Sequence, residues 1–122
     1  MFNLLLRAPR SALPEVQKLI ITNRKILMAQ FTVRVELHDA QWADYDTLHA
    51  AMAQQGFSRL VTGDDGRTYQ LPWAEYDGSG NLTSMQVLGL AQRAAATTGK
   101  KNSVLVTEAN ARAWSGLPVT RN

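Results

Sequence analysis

The chain contains no cysteine. Disulfide frameworks, thiolate zinc sites and thiol nucleophiles are therefore excluded together. Nor does it hold an apolar run near the roughly 20 residues that a membrane span needs. Its one leucine cluster, Leu4 to Leu6, is too short for a secretory apolar region and has no basic start before it. Aromatic residues are scarce at 7%, so those that fall in loops stand out. Acidic residues are nearly missing from the first 27 positions, where Glu15 alone faces Arg7, Arg10, Lys18, Arg24 and Lys25. From residue 28 onward, eight basic residues meet nine acidic ones. The net charge of +3 thus belongs to the first segment. The remainder offers no global electrostatic case for a nucleic-acid partner.

At 122 residues, one domain with a modest two-layer core is expected. Residues 1–27 read as a leader, either without fixed structure or translated from a start chosen too early. Arg24-Lys25 can be encoded by the purine-rich AGG-AAA, which suits a bacterial ribosome-binding sequence ahead of Met28. An Arg-rich, acid-poor transit peptide is the other reading. The working domain is placed at 28–108 and a tail at 109–122, where Trp114 and Leu117 could dock back on the sheet. A cytoplasmic protein is the default expectation.

What is present after Met28 is a clear pattern. Phe31, Val33, Val35 and Leu37 alternate with Thr32, Arg34, Glu36 and His38, the period of a half-buried strand. Asp39 offers an N-cap oxygen to a helix carrying Trp42, Tyr45, Leu48, His49 and Met52, which ends near Gly56. Phe57–Thr62 and Arg67–Leu71 flank "GDDG", a hairpin signal. "YDGSGN", from Tyr76 to Asn81, is rich in turn formers and reads as a loop. Thr83 and Gln86 have capping-box spacing ahead of a second amphipathic helix, and "SVLVT" from Ser103 reads as a last strand. The order β-α-β-β-α-β predicts an α+β, ferredoxin-like two-layer sandwich, its antiparallel sheet covered by two helices on one face. The other face, with Thr32, Arg34, Glu36 and His38, is left polar and open. This fold hosts many functions and names none.

The segment from Phe31 to about Ala95 resembles the GhoS family, small antitoxins of type V toxin–antitoxin systems. The residues that carry the resemblance are "FTVRVELHD", "YDTLHAAM", "GFS" at Gly56–Ser58, "DG" at Asp65-Gly66 and "QL" at Gln70-Leu71, followed by an apolar second helix. The resemblance implies an endoribonuclease that binds and cuts the single-stranded message of a small membrane-disrupting toxin. The family's activity-linked basic residue on the first helix falls at His49, where the best-known member has Arg. The acidic residue after the first strand falls at Asp39.

Metal-free RNA cleavage needs a base for the 2′-hydroxyl, an acid for the leaving oxygen and a cation at the phosphorane. His suits the first two roles and Arg the third. His38 and His49 are the only histidines, so with Asp39 they form the candidate catalytic set. Arg34 on the open face is the leading phosphate contact, followed by Arg59 and Arg67. Tyr69 and Trp73 are candidate stacking platforms, with Tyr76 close by in the loop. Asp39 with Asp64 or Asp65 could in principle hold Mg²⁺, but turn formation accounts for the last two. Neither a metal nor another cofactor is expected. The bland readings are a cap at Asp39, solvated charge at the arginines, an edge of the apolar stripe at His49 and core packing at Tyr69. A non-catalytic module that self-associates, through its open face or an edge strand, is the alternative function, and a homodimer fits either reading.

Overall fold

A computed structural model describes residues 28–120; the leader of residues 1–27 lies outside them. The alternating segment forms β1 (Ala29–Leu37). Phe31, Val33, Val35 and Leu37 turn inward with at most 6% exposure. Each contributes about 1.5–3 kcal/mol on burial, which fixes the strand's register because a one-residue slip would reverse both faces. The helices α1 (Trp42–Gln54) and α2 (Ser84–Ala96) cover that face. Leu48, Ala51 and Met52 come from α1; Val87, Ala91, Ala94 and Ala95 come from α2.

The α2 start follows the capping-box spacing. The Thr83 hydroxyl accepts from the Gln86 amide at 3.1 Å, and the Gln86 side chain accepts from the Thr83 amide at 2.8 Å. The α1 start does not follow expectation. Gln41, not Asp39, is the N-cap, and the Asp44 carboxylate accepts from the Gln41 amide at 2.8 Å. Asp39 instead turns the chain in the left-handed region, at φ 52°, a conformation that Asp tolerates better than most residues.

Strands β2 (Leu60–Thr62) and β3 (Thr68–Gln70) form the expected hairpin, but as a separate two-stranded ribbon. The main sheet takes its third strand from the segment read as a loop: β4 (Glu75–Gly80) pairs antiparallel with β1, Val33 opposite Tyr76. Strand β5 (Asn102–Ala109) pairs antiparallel with the other edge of β1. The sheet order is β4-β1-β5. Ser58 and Asp77 exchange backbone hydrogen bonds of 2.8 and 2.7 Å, so the chain entering the ribbon touches the outer edge of β4. The result is the ferredoxin-like α+β arrangement, with its second strand reduced to this bridge. Turn propensity at Asp77-Gly78-Ser79-Gly80 yields to pairing along β1, because strand preference depends strongly on context.

Residues 110–120 fold back. Val119 pairs with Tyr69, and backbone bonds Gln70 N–H to Pro118 O (2.9 Å) and Thr120 N–H to Thr68 O (2.8 Å) add the segment to the ribbon. Trp114 meets Tyr69 edge to face at 5.4 Å, and Arg112 crosses the open sheet face to Asp77 at 2.7 Å. Thr83→Ala is expected to remove the α2 cap at a cost of about 1 kcal/mol. A thermal melt should show Tm lower by about 4–8 °C for a domain of this size.

Candidate functional site

The strongest concentration of chemistry lies on the helical side of the sheet, beyond β4. A tight turn closes there, with the Glu75 amide donating to Pro72 O at 3.0 Å. Ala74, its third residue, takes a positive φ of 66°, at a cost of about 1–2 kcal/mol for a residue with a Cβ. The turn leaves Trp73 at a corner, where its ring stands edge-on to His49 at 4.7 Å and to Trp42 at 5.1 Å. Tyr45, one turn along α1 from Trp42, lies 5.9 Å from the Trp73 ring. Trp42 is 73% exposed and Trp73 45%. A hollow of about 280 Å³ opens between them and Ala40, Gln41 and Tyr45.

Behind the tryptophans sits a cation. Arg59 Nη2 donates to Leu71 O at 3.1 Å, and Nη1 donates to His49 Nε2 at 3.1 Å. The guanidinium lies 5.2 Å from the Trp73 ring centre and 5.9 Å from that of Tyr76, within cation–π range. Its Nε is buried and has no hydrogen-bond partner. Among the described residues no carboxylate stands within ion-pair distance of Arg59.

His49 is fully engaged. A guanidinium can only donate, so Nε2 is the acceptor and the ring proton sits on Nδ1, which donates to Tyr76 Oη at 2.6 Å. Burial first, and the Arg59 charge second, lower the His49 pKa from its ordinary value, with Asp46 opposing them. Burial also pushes the Tyr76 phenol well above its usual range. At neutral pH the pair is therefore an uncharged hydrogen-bonded unit.

The remaining candidates are dispersed. His38 lies on the opposite, open face, its Nε2 3.1 Å from Ser103 Oγ and 3.8 Å from Glu36. Arg34 is exposed on that face and reaches Glu75 at 3.8 Å. Arg67 is exposed just before β3, and its amide donates to Asp65. Tyr69 gives its hydroxyl to the Asp65 carboxylate, which lowers the Asp65 pKa and raises its own. Asp39 stays in its turn. Of the eight candidate residues, the fold brings together Arg59, Trp73 and His49. Trp42, Tyr45 and Tyr76 complete the cluster; the first two carried only a helical spacing signal, and Tyr76 was hidden in an apparent loop.

A larger hollow of about 820 Å³ lies over the open face, between the hairpin tip and residues 110–114. Asp64, Asp65 and Asp77 line it, and its cation, Arg112, is already paired with Asp77. That charge balance repels a phosphate chain, which makes the smaller aromatic hollow the better candidate. Among the described residues no three His, Asp or Glu side chains converge as metal ligands, and no helix is long and apolar enough to cross a membrane. The chain matches no family model and no curated protein.

The His49 environment sets a pH dependence of stability. Below about 6.5 the unfolded histidine binds a proton that the folded one resists. The stability tied to His49 is thus fully present above that value and is lost as pH falls from it toward the depressed folded pKa. Urea midpoints are expected to drop between pH 7.5 and 5.5. In His49→Gln, which keeps a donor and an acceptor without titrating, the drop should shrink.

Proposed function

We propose that the protein is an antitoxin-type, single-strand RNA-binding protein that holds unpaired bases on Trp42 and Trp73 and a phosphate against the outer edge of Arg59. The observation that carries this reading is an exposed tryptophan pair backed by an arginine without a carboxylate partner. Every base has a π-face, so such platforms hold a strand with little sequence preference, at about 1–3 kcal/mol per stacked base. The resemblance to the GhoS family supports RNA as the ligand and a toxin message as the target. It also supports cleavage as the outcome of binding.

Cleavage at this site would use His49. The neutral Nδ1–H tautomer leaves Nε2 as the basic atom, and a phosphate that draws Arg59 away would free that lone pair to take the proton of a 2′-hydroxyl. The 2′-oxygen would then bond to phosphorus as the P–O5′ bond breaks, the leaving oxygen taking its proton from solvent. His38, on the far side of the sheet, would stay a bystander.

Fluorescence titration of a labelled single-stranded RNA tests the reading. Trp42→Ala and Trp73→Ala should each weaken binding by roughly 5- to 150-fold, the equivalent of one lost stacking contact. Arg59→Gln should reduce the salt slope by about one phosphate contact. Unchanged affinity in both tryptophan variants, with weakened binding in Arg34→Ala, would move the RNA to the open face. Single-turnover cleavage should fall by roughly 10² or more in His49→Ala and stay at the parent rate in His38→Ala.

A further inference from the structure

The outer edge of β5 carries a second message, independent of the aromatic cluster. The His38 amide donates to Lys101 O at 2.8 Å, which fixes the phase of the β1–β5 ladder. Lys101, Ser103, Leu105, Thr107 and Ala109 turn their backbone groups toward β1. Asn102, Val104, Val106 and Glu108 therefore turn theirs outward, since the two sides alternate along an antiparallel strand. Among the described residues nothing pairs with that outer edge.

Edges of this length are normally blunted by proline, a bulge or an inward charge. This one has none between Ser103 and Thr107. Its side chains are instead apolar where they need not be. Leu105, at the strand's middle, is 63% exposed. Val104 and Val106 are only half-buried against the core. The strand also has a polarity of charge, with Lys101 at its start and Glu108 near its end, Lys100 being paired with Asp44 at 3.9 Å.

We propose that β5 is a dimerisation edge, on which a second copy of this chain adds its own β5 antiparallel about a two-fold axis through Leu105. Only this register engages all four outward residues: Asn102 opposes Glu108 of the other copy, and Val104 opposes Val106. Each such pair exchanges both of its backbone bonds. Leu105 then meets its own copy in a non-hydrogen-bonded pair, where side chains approach most closely. On the helical face, Val104 and Val106 of the two copies close into one apolar strip. The antiparallel sense sets the basic start of each strand beside the acidic end of the other, whereas a parallel pairing would juxtapose lysines. The two aromatic sites lie beyond β4, on the far edge of each sheet, and stay open.

Sedimentation equilibrium of the full chain, over a roughly hundredfold range of concentration, is expected to approach twice the chain mass of 13.5 kDa. Val106→Pro removes an outward amide that β1 does not use, so the monomer should keep its circular dichroism while dimerisation is lost. In a chain without cysteine, Leu105→Cys gives a single thiol facing its own copy within disulfide reach. It should cross-link under mild oxidation, whereas Thr107→Cys, which would face Ser103, should not. A single-chain mass at all concentrations overturns the proposal. So does a dimer that survives Val106→Pro, or equal cross-linking of the two cysteine variants.

Discussion

Phe31, Val33, Val35 and Leu37 reach the helices only if the strand that carries them is held flat and paired on both sides. That requirement organises the rest of the domain. Strand β4 must lie along one edge of β1 and β5 along the other, and both helices must settle on the same face to exclude water. Once β4 is in place, Tyr76 points into the helical layer opposite Val33, fully buried. A buried phenol needs a partner, and α1 supplies His49. The histidine in turn receives Arg59. A chain of hydrogen bonds thus runs from the core outward to a cation at the surface, and each member fixes the orientation of the next.

That chain explains why the exposed aromatics sit where they do. Arg59 is tied to the carbonyl of Leu71 and flanked by Trp73, so the guanidinium plane and the indole are positioned as one unit. Trp42 and Tyr45, one turn apart on α1, line the same hollow. The open sheet face offers nothing comparable. Its arginines lie beside Glu75 and Asp77, and pairs of this kind neutralise the charge that a phosphate chain would seek.

The parts of the fold with a strong local signal were legible in the sequence. The period-two run of β1, the Thr83–Gln86 cap and the Gly63–Gly66 turn all appear where their residues place them. β4 was hidden, because Asp77, Gly78, Ser79 and Gly80 favour turns locally and are overruled by pairing with a distant strand. The α1 cap was misplaced for a related reason. Asp39 has a good capping side chain, yet the chain needs two further residues to swing from the sheet to the helix, so Asp39 becomes a left-handed turn. Arg59, Trp73 and His49 could each be picked out as candidates. Their convergence could not, because it depends on Ala74 adopting a positive φ and on Tyr76 lying in a strand. The roles of Trp42 and Arg112 were likewise invisible, since exposure on a helix and docking of a tail are decided by tertiary contacts.

The central position of β1 also bears on how the protein is made. Both partners of β1 are encoded far downstream, and the contact from Arg112 to Thr32 spans 80 positions. During translation, β1 emerges before the other described elements and has no local partner, so its apolar face and both edges wait while α1, the ribbon and β4 are synthesised. Folding dominated by such distant contacts is slow relative to helix formation, and an unpaired strand with one apolar face is prone to associate with its own kind. On polysomes, where neighbouring nascent chains present the same strand, the interval before β5 emerges is the one in which β1 is most open to such association.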